Sequence, residues 1–293
     1  MSRSEQVFGE LAGCYLPVLE NIYSFLNDNT FKYGFVVSSQ YDEILRTNLP
    51  SAIQIYWQEI LLMSHMASVT SLLRSRALLR GTCQAVDDGN ALAFASCFRG
   101  FLEAASDTYD ALGNVPETLI DHRLGITKNL TKQPGQALHI VEGIEDQLIH
   151  FLRARELSTN ESAPASHKKK KTADYFESLE KTRQGPVREL YRQLCELSHP
   201  SEKSVSFFLR KELDGNQFLN PAGDPDFPYT IVSQHRVAVE TAFQCGINAS
   251  LMLLKVLNEF PFESLHTPIL GDIKFTNMPL GRRIGKKLGQ AQW

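Results

Sequence analysis

An arginine and a histidine lie seven residues apart in the segment Leu190–Ser201, LYRQLCELSHPS, at the end of a predicted amphipathic helix. Because an α-helix has ~3.6 residues per turn, Arg192 and His199 are predicted to lie two turns apart on nearly the same face. Pro200 disfavours helical geometry at the residue before it, so the helix is expected to end at His199. A group that titrates near neutral pH beside a fixed cation suits the chemistry of phosphate esters.

Two interpretations of this pair follow from the residue types. In a ribonuclease-like site, His199 would transfer the proton of the 2′-OH or of the leaving group, while Arg192 would bind the scissile phosphate. In the alternative, His199 caps the last carbonyls of its helix and Arg192 forms a surface ion pair with Glu189 or Glu196. The spacing alone does not choose between them.

A second helix carries a charged stripe among apolar residues. Arg99, Glu103 and Asp107 recur at intervals of four residues in FRGFLEAASD. Charges in so apolar a helix are expected to be partly buried and therefore paired. The stripe is either a set of salt bridges that fixes helix packing, or a support in which Glu103 orients Arg192 or His199 from a neighbouring helix.

Two basic clusters are candidates for phosphate contacts. The Ser/Ala-rich stretch 158–166 and the lysines that follow it predict a disordered, solvated loop over 158–171. Contacts from such lysines to a nucleic-acid backbone would make binding sensitive to salt. The basic tail at 282–287 allows the same interpretation, and a merely solvated surface is the alternative for both. The candidate nucleic-acid-binding residues are Lys168, Lys169, Lys170, Lys171 and Arg188.

The sequence lacks the motifs of several classes of enzyme. The patterns GxxxxGK[ST], GxGxxG, HExxH and GxSxG do not occur, so ATP-, dinucleotide- and zinc-dependent reactions have no sequence support. The five cysteines are scattered and lack metal-ligand spacing, which favours reduced thiols in a cytosolic protein. We therefore expect neither a metal nor a cofactor.

The composition is that of a soluble globular protein. Of 293 residues, 43% are hydrophobic and 22% charged, and the formal net charge of -3 gives no reason to expect strong nonspecific binding to nucleic acid. The N-terminal sequence lacks the pattern of a signal peptide. The most apolar stretch, near 247–257, is predicted to be too short and polar to cross a bilayer. We expect a cytoplasmic protein without membrane association.

Hydrophobic periodicity near 3.6 predicts an all-α fold with no convincing strand pairing. The expected organisation is an N-terminal helix and extended loop over 1–50, a helical core over 51–260, and an irregular basic extension over 261–293. Helices are predicted at about 4–27, 51–86, 90–112, 116–126, 136–157, 172–182, 187–199 and 230–260, with an extended loop at 31–37 and a long connection at 214–229.

The motifs FRGFLEA and, about a hundred residues later, LYRQLCELSHPS resemble those of bacterial all-α proteins of unknown function related to the HEPN superfamily. The resemblance covers roughly 60–258. It implies an up-and-down helical bundle, often dimeric, whose catalytic members are metal-independent endoribonucleases with an Arg-x4-6-His motif, commonly in toxin–antitoxin or antiphage systems. Arg192 and His199 match the upper limit of that spacing, whereas Gln193 departs from the Asn, Asp or His that commonly follows the arginine.

Two functions are therefore expected from the sequence. The first is a metal-independent endoribonuclease of bacterial defence or toxin type, with RNA as substrate, an antitoxin or other protein as partner, and a second copy supplying a second proton-transfer group across a two-fold axis. The second is a non-catalytic all-α interaction module that binds a protein or a small ligand, in which Arg99, Glu103 and His199 form a structural polar network. The first assigns catalysis to Arg192 and His199, supported by Arg99, Glu103, Glu196 and Tyr191.

Overall fold

The computed structural model describes residues 2–132, 139–158, 161–181, 186–213 and 215–293. Helices dominate these residues, and the sheet found among them is a two-stranded hairpin. The predicted all-α class is confirmed.

In chain order, the described residues form α1 (Arg3–Phe8), α2 (Glu10–Asp28), α3 (Ser38–Thr47), α4 (Leu49–Asp87), α5 (Ala91–Leu112), α6 (Val115–Asp121), α7 (Arg123–Leu130), α8 (Ile144–Arg153), α9 (Thr172–Glu180), α10 (Val187–Ser198), α11 (Glu202–Ser206), β1 (Leu209–Lys211), β2 (Gln217–Leu219), α12 (Phe227–Gln234), α13 (Arg236–Leu257) and α14 (Pro279–Leu288), with short 3-10 turns at Ala165–His167, Glu263–Leu265 and Pro268–Leu270.

The first predicted helix, at about 4–27, is divided in the structure, and the division falls at a glycine. Gly9 has a φ of 59° and separates α1 from α2, a conformation that costs glycine little because it has no β-carbon. Pro17 lies inside α2 and does not end it.

The chain groups into two compact units, each made of three separate segments. The first unit comprises Met1–Asn21, Leu72–Asp110 and Lys170–Ile247, and the second comprises Ile22–Ser71, Ala111–Lys169 and Asn248–Trp293. The predicted segmentation into 1–50, 51–260 and 261–293 follows the order of the chain, whereas these units join distant segments. Helical periodicity defines which face of a helix is apolar but not which helix covers it.

An aromatic cluster holds α5 in the core of the first unit. The ring of Phe98 packs edge-on against Phe8 of α1 at 5.5 Å and stacks with Phe101 at 6.2 Å. Phe101 in turn lies 5.0 Å from Phe243 of α13. All four side chains are buried, and large buried rings dominate the packing energy of a core. This cluster fixes the helix that carries Arg99.

In the second unit, the extended segment predicted at 31–37 is present and is anchored by a buried histidine. The hydroxyl of Tyr33 lies 2.8 Å from Nδ1 of His65, and the Phe31 ring packs 4.6 Å from the imidazole. Burial lowers the pKa of His65 to about 4 and raises the pKa of Tyr33 to about 12. The neutral pair is therefore the form that the folded chain favours.

The C-terminal segment, predicted to be irregular, contains helix α14. Arg283 and Lys287 of this helix pair with Glu117 of α6 at 2.8 and 2.9 Å. Hydrogen bonding from Arg283 holds the pKa of Glu117 down to about 2. Trp293 is buried, and its ring lies 5.3 Å from Nζ of Lys255. The prediction of an irregular, solvated tail is therefore wrong. It was based on the charge of the segment, and the local sequence does not reveal these tertiary contacts.

The lysine-rich segment also differs from the disordered loop predicted over 158–171. The backbone N–H of Arg155 donates to the carbonyl of His167, and the N–H of Lys169 donates to the carbonyl of Arg155, both at 3.0 Å. A 3-10 turn occupies Ala165–His167. Backbone pairing of this kind orders a polar segment that has few apolar side chains. Residues 159–160 of the predicted loop lie outside the described residues.

Helix α13 is long and apolar enough to cross a membrane by length and composition. In the structure, 78% of its most apolar window is buried inside the protein. The apolar stretch recognised in the sequence, 247–257, is too short to span a bilayer. The helix that contains it is longer and extends from Arg236 to Leu257. A mostly buried helix of this kind is typical of a protein core.

A close helix approach in the first unit predicts opposite effects for the same substitution at two glycines. A β-carbon at Gly246 would lie 2.5 Å from the β-carbon of Ala105, whereas one at Gly13 would meet nothing within 4 Å. We expect Gly246→Ala to lower the free energy of unfolding by about 1–3 kcal/mol through overpacking. Gly13→Ala should raise it by up to about 1 kcal/mol, as alanine usually does in a helix. Urea unfolding of both variants checks this, and equal effects would contradict it.

The lowered pKa of His65 predicts a loss of stability in acid. The unfolded chain binds a proton near pH 6.5 and the folded chain only near 4, so the contribution is complete above pH ~6.5 and declines as the pH falls toward 4. Between pH 7 and pH 5 the loss should be about 2 kcal/mol. Urea unfolding of the parent and of His65→Gln at both values measures it. The same pH dependence in both proteins would exclude His65 as its cause.

Candidate functional site

Helix α10 has one strongly apolar face, which sets the direction of its polar residues. Side chains spaced three or four residues apart lie on one face of a helix, and the apolar ones of α10 are buried. The remaining positions carry the polar groups of the site toward α5 and toward solvent. The buried residues of α10 are Val187, Leu190, Leu194 and Leu197.

His199 stands at the junction after α10, as Pro200 predicts. Its backbone leaves the helix with φ -103° and ψ 158°, and its N–H still donates to the carbonyl of Cys195 at 2.9 Å. Ser201 then caps α11 by accepting from the N–H of Ser204 at 3.2 Å. The hydroxyl of Ser201 also donates to the carbonyl of Glu196. These bonds fix the junction and leave the imidazole exposed.

Arg99 of α5 reaches the imidazole of His199. Its Nη1 donates a hydrogen bond to Nε2 of His199 and another to Oγ of Ser198 at 3.3 Å. Since a guanidinium has no acceptor atom, Nε2 must accept, and the neutral ring then carries its proton on Nδ1. The structure thus joins a fixed cation to the catalytic candidate, but the cation comes from α5.

Glu103 connects Arg99 to Tyr191. The hydroxyl of Tyr191 donates to Oε1 of Glu103 at 2.7 Å, and Nε of Arg99 lies 4.0 Å from the same oxygen. Burial, together with the bond to Glu103, raises the pKa of Tyr191, so its hydroxyl remains a donor at neutral pH. The Tyr191 ring also packs edge-on against Phe176 of α9 at 4.8 Å. The four residues form one chain of contacts, Tyr191–Glu103–Arg99–His199.

Arg192 is occupied by two carboxylates. It pairs with Glu189 at 2.6 Å and also with Glu196, which is shared with Lys203. Hydrogen bonding to Glu189 raises the pKa of Arg192, and the same bond lowers the pKa of Glu189 to about 2. The structure therefore has the surface ion pairs of the alternative interpretation. Among the described residues, no hydrogen bond or ion pair joins Arg192 to His199.

The predicted nucleic-acid-binding residues bond to groups other than His199. Lys170 pairs with Asp110 at 2.6 Å, and Arg188 pairs with Glu180 at 3.2 Å. The backbone N–H of Lys171 donates to Asp174 at the start of α9. Lys168 and Lys169 belong to the second unit. In the described part of the chain, no hydrogen bond or ion pair connects these five residues with His199.

Sequence reasoning assigned Arg99 a supporting role and missed Ser198. The feature of the sequence that pointed to Arg99 was the charged stripe on α5, of which Arg99 and Glu103 lie at the site. The third, Asp107, instead pairs with Arg74 of α4 at 2.7 Å. Within the described ranges, no group of three or more His, Cys, Asp or Glu side chains could hold a metal ion.

The bond between Tyr191 and Glu103 predicts a measurable contribution to stability. Tyr191→Phe removes the hydroxyl and keeps the ring against Phe176, so the free energy of unfolding should fall by about 0.5–1.5 kcal/mol. Tyr229→Phe is the matched control, because Tyr229 is exposed and an exposed substitution usually changes stability by less than about 0.5 kcal/mol. Urea unfolding distinguishes them, and indistinguishable variants would contradict the assigned bond.

Comparison of the chain with protein-family models, curated proteins and solved structures finds no match. The resemblance to HEPN-related proteins therefore depends on the two helix motifs, and the site is interpreted from its geometry.

Proposed function

We propose that this protein is a metal-independent endoribonuclease in which His199 transfers protons and Arg99 binds the scissile phosphate. The observation that supports this best is the contact between the exposed imidazole of His199 and the guanidinium of Arg99. A guanidinium binds phosphate oxygens through its planar set of donors, and an imidazole exchanges protons near neutral pH. The two groups needed for cleavage by a 2′-OH therefore lie side by side.

The proposed reaction begins with an exchange of partners at Arg99. A phosphate that binds the guanidinium replaces Nε2 of His199 as the acceptor, which leaves the Nε2 lone pair free to take the proton of the 2′-OH. The 2′ oxygen then attacks phosphorus and the bond to the 5′ oxygen breaks. The products are a 2′,3′-cyclic phosphate and a 5′-OH whose proton comes from an acid or from water.

Arg99 is a better phosphate ligand than Arg192 for an electrostatic reason. Arg192 lies between Glu189 and Glu196, so a phosphate there would face two carboxylates. Arg99 has one carboxylate, Glu103, which is also bonded to Tyr191. In this proposal Glu103 and Tyr191 position the guanidinium while its Nη1 side faces the substrate.

The resemblance to HEPN-related proteins extends the proposal to the biological setting. It adds a cytoplasmic bacterial toxin or antiphage nuclease, an antitoxin or other protein partner, and a homodimer. A second His199 across a two-fold axis would supply the acid that protonates the 5′ oxygen.

The same geometry favours a second candidate, a non-catalytic interaction module. The contacts from Tyr191 through Glu103 and Arg99 to His199 link these four residues without a ligand, although Nε of Arg99 is buried with no hydrogen-bond partner among the described residues. In that case the network serves to join α5 to the end of α10, and its removal should affect stability and not an activity.

The proposed roles predict how strongly each substitution reduces the rate of RNA cleavage. Purified protein should cleave single-stranded RNA in the presence of EDTA, and His199→Ala should reduce the rate by about 10²-fold or more, the usual contribution of general acid–base catalysis. Arg99→Ala should reduce the rate far more than Arg192→Ala, which serves as the matched arginine control. Single-turnover rates on a labelled RNA measure this order.

Thermal unfolding of each variant separates lost chemistry from lost folding. His199 and Arg192 are exposed, so their alanine variants should keep the thermal midpoint within a few degrees. Equal loss of cleavage in folded Arg99→Ala and Arg192→Ala would return the phosphate role to Arg192. Absence of cleavage by the parent, with a marked loss of stability in His199→Ala, would favour the interaction module.

A further inference from the structure

The β1–β2 hairpin follows the His199 junction in the chain and exposes apolar and basic side chains. Its strands pair with Arg210 opposite Phe218 and Leu209 opposite Leu219. The Phe218 side chain is 51% exposed and that of Leu219 is 81% exposed. Phe218 lies in β2 itself and not in the turn that joins the strands, and its ring leaves an apolar surface open to a ligand.

The start of the hairpin is anchored, in contrast to the Phe218 ring. The Phe207 ring lies 6.0 Å from the ring of Phe227, packed edge-on, and covers Gly223, where a β-carbon would meet it at 2.0 Å. Phe227 in turn packs edge-on against the buried Phe94 at 6.2 Å. The hairpin is therefore attached to the core through Phe207. Phe218 makes no ring contact with any other described residue.

Arg210 and Phe218 lie on the same face of the hairpin. Directly opposed residues of an antiparallel pair point to one side, with β-carbons about 4.5–5.5 Å apart. Lys211 and Leu219 point to the other side. Neither Arg210 nor Lys211 forms an ion pair with a carboxylate in the part of the chain that the structure describes, unlike Arg192, Arg188 and Lys170 at the surface of the same unit.

An exposed ring beside a guanidinium that has no carboxylate partner among the described residues fits single-stranded nucleic acid. Bases stack on aromatic side chains while basic groups bind the phosphates between them. Paired bases in a duplex do not expose their faces, so the ring selects single strands. The hairpin is joined to the His199 junction through α11, which contacts both α10 and β1 and whose five residues span only about 7–8 Å.

We propose that the β1–β2 hairpin is a binding element for single-stranded RNA, in which Phe218 stacks on a base and Arg210 binds a neighbouring phosphate. This inference rests on the proposed function in that both assign RNA as the ligand. It adds a location for the strand beyond the cleavage site and explains why the exposed ring lies on the face that carries Arg210.

Binding is measured without cleavage, so that the hairpin and the catalytic residues are tested separately. The probe is a fluorescent 2′-O-methyl RNA of mixed sequence, which lacks the nucleophile, and the readout is anisotropy. Phe218→Ala should weaken binding by roughly 5- to 150-fold, the range expected for one stacked base. Phe218→Trp should retain binding. Leu219→Ala, an exposed apolar residue on the opposite face of the same strand, should change affinity by less than about twofold.

The salt dependence tests Arg210. For single strands the slope of log affinity against log salt is about 0.7 per neutralised phosphate, so Arg210→Gln should reduce its magnitude by about that amount. An unchanged slope would overturn the role of Arg210.

Unchanged affinity in Phe218→Ala, or equal losses in Phe218→Ala and Leu219→Ala, would overturn the inference. A change in oligomeric state by light scattering in these variants would then assign the hairpin to a protein contact. If the parent binds the probe through Phe218 but does not cleave RNA, the proposed nuclease activity fails and the binding element stands.

Discussion

The contact between Arg99 and His199 is the constraint on which the candidate site depends. α5 cannot shift easily, because Phe98 and Phe101 on either side of Arg99 pack into the aromatic core of the first unit. The end of α10 is fixed separately, by its buried apolar face and by the bonds of Ser201 at the junction. Arg99 therefore joins two rigid elements at their polar edge, and Glu103 restricts the direction in which its guanidinium points. A positioned arginine of this kind loses little freedom when it binds an anion.

The sequence was sufficient to predict the class of fold and the place where α10 ends. The end follows from Pro200, because a proline acts on the residue before it through local sterics. The partner of His199 is predicted by only one of the two hypotheses, the interaction module in which Arg99, Glu103 and His199 form one network. The pairing of Arg192 with His199 requires helical geometry up to the imidazole, whereas His199 has extended backbone angles. Arg99 lies one hundred residues away in the chain, and the charged stripe on α5 does not by itself distinguish His199 from Arg192 as its neighbour.

The charged clusters show the same limit in another form. A run of lysines or arginines predicts a solvated segment if its surroundings are unknown, but Glu117 neutralises two cations of α14 and Asp110 neutralises Lys170. These partners are separated from the cations by 60 to 170 residues. Apolar periodicity and the ion pairs of Arg192 with Glu189 and Glu196 are local and were predictable, whereas the neutralisation of these basic clusters depends on tertiary contacts. For this reason, the structure, and not the density of basic residues in the sequence, identifies which described basic residues have no carboxylate partner.

Under the proposed function, the occupied state of Arg99 couples substrate binding to activation of the base. One Nη1 atom serves both His199 and Ser198 in the free protein, and a phosphate that takes this donor must displace the imidazole. In the free protein the Nε2 lone pair accepts a hydrogen bond from Arg99. It becomes available to accept a proton when an anion binds Arg99, and it is then next to that anion. Proton abstraction then needs no separate activating group, since the arginine that binds the phosphate also unmasks the base. An arginine supplied from α10 itself and already paired with Glu189 and Glu196 has no such bond to exchange with His199.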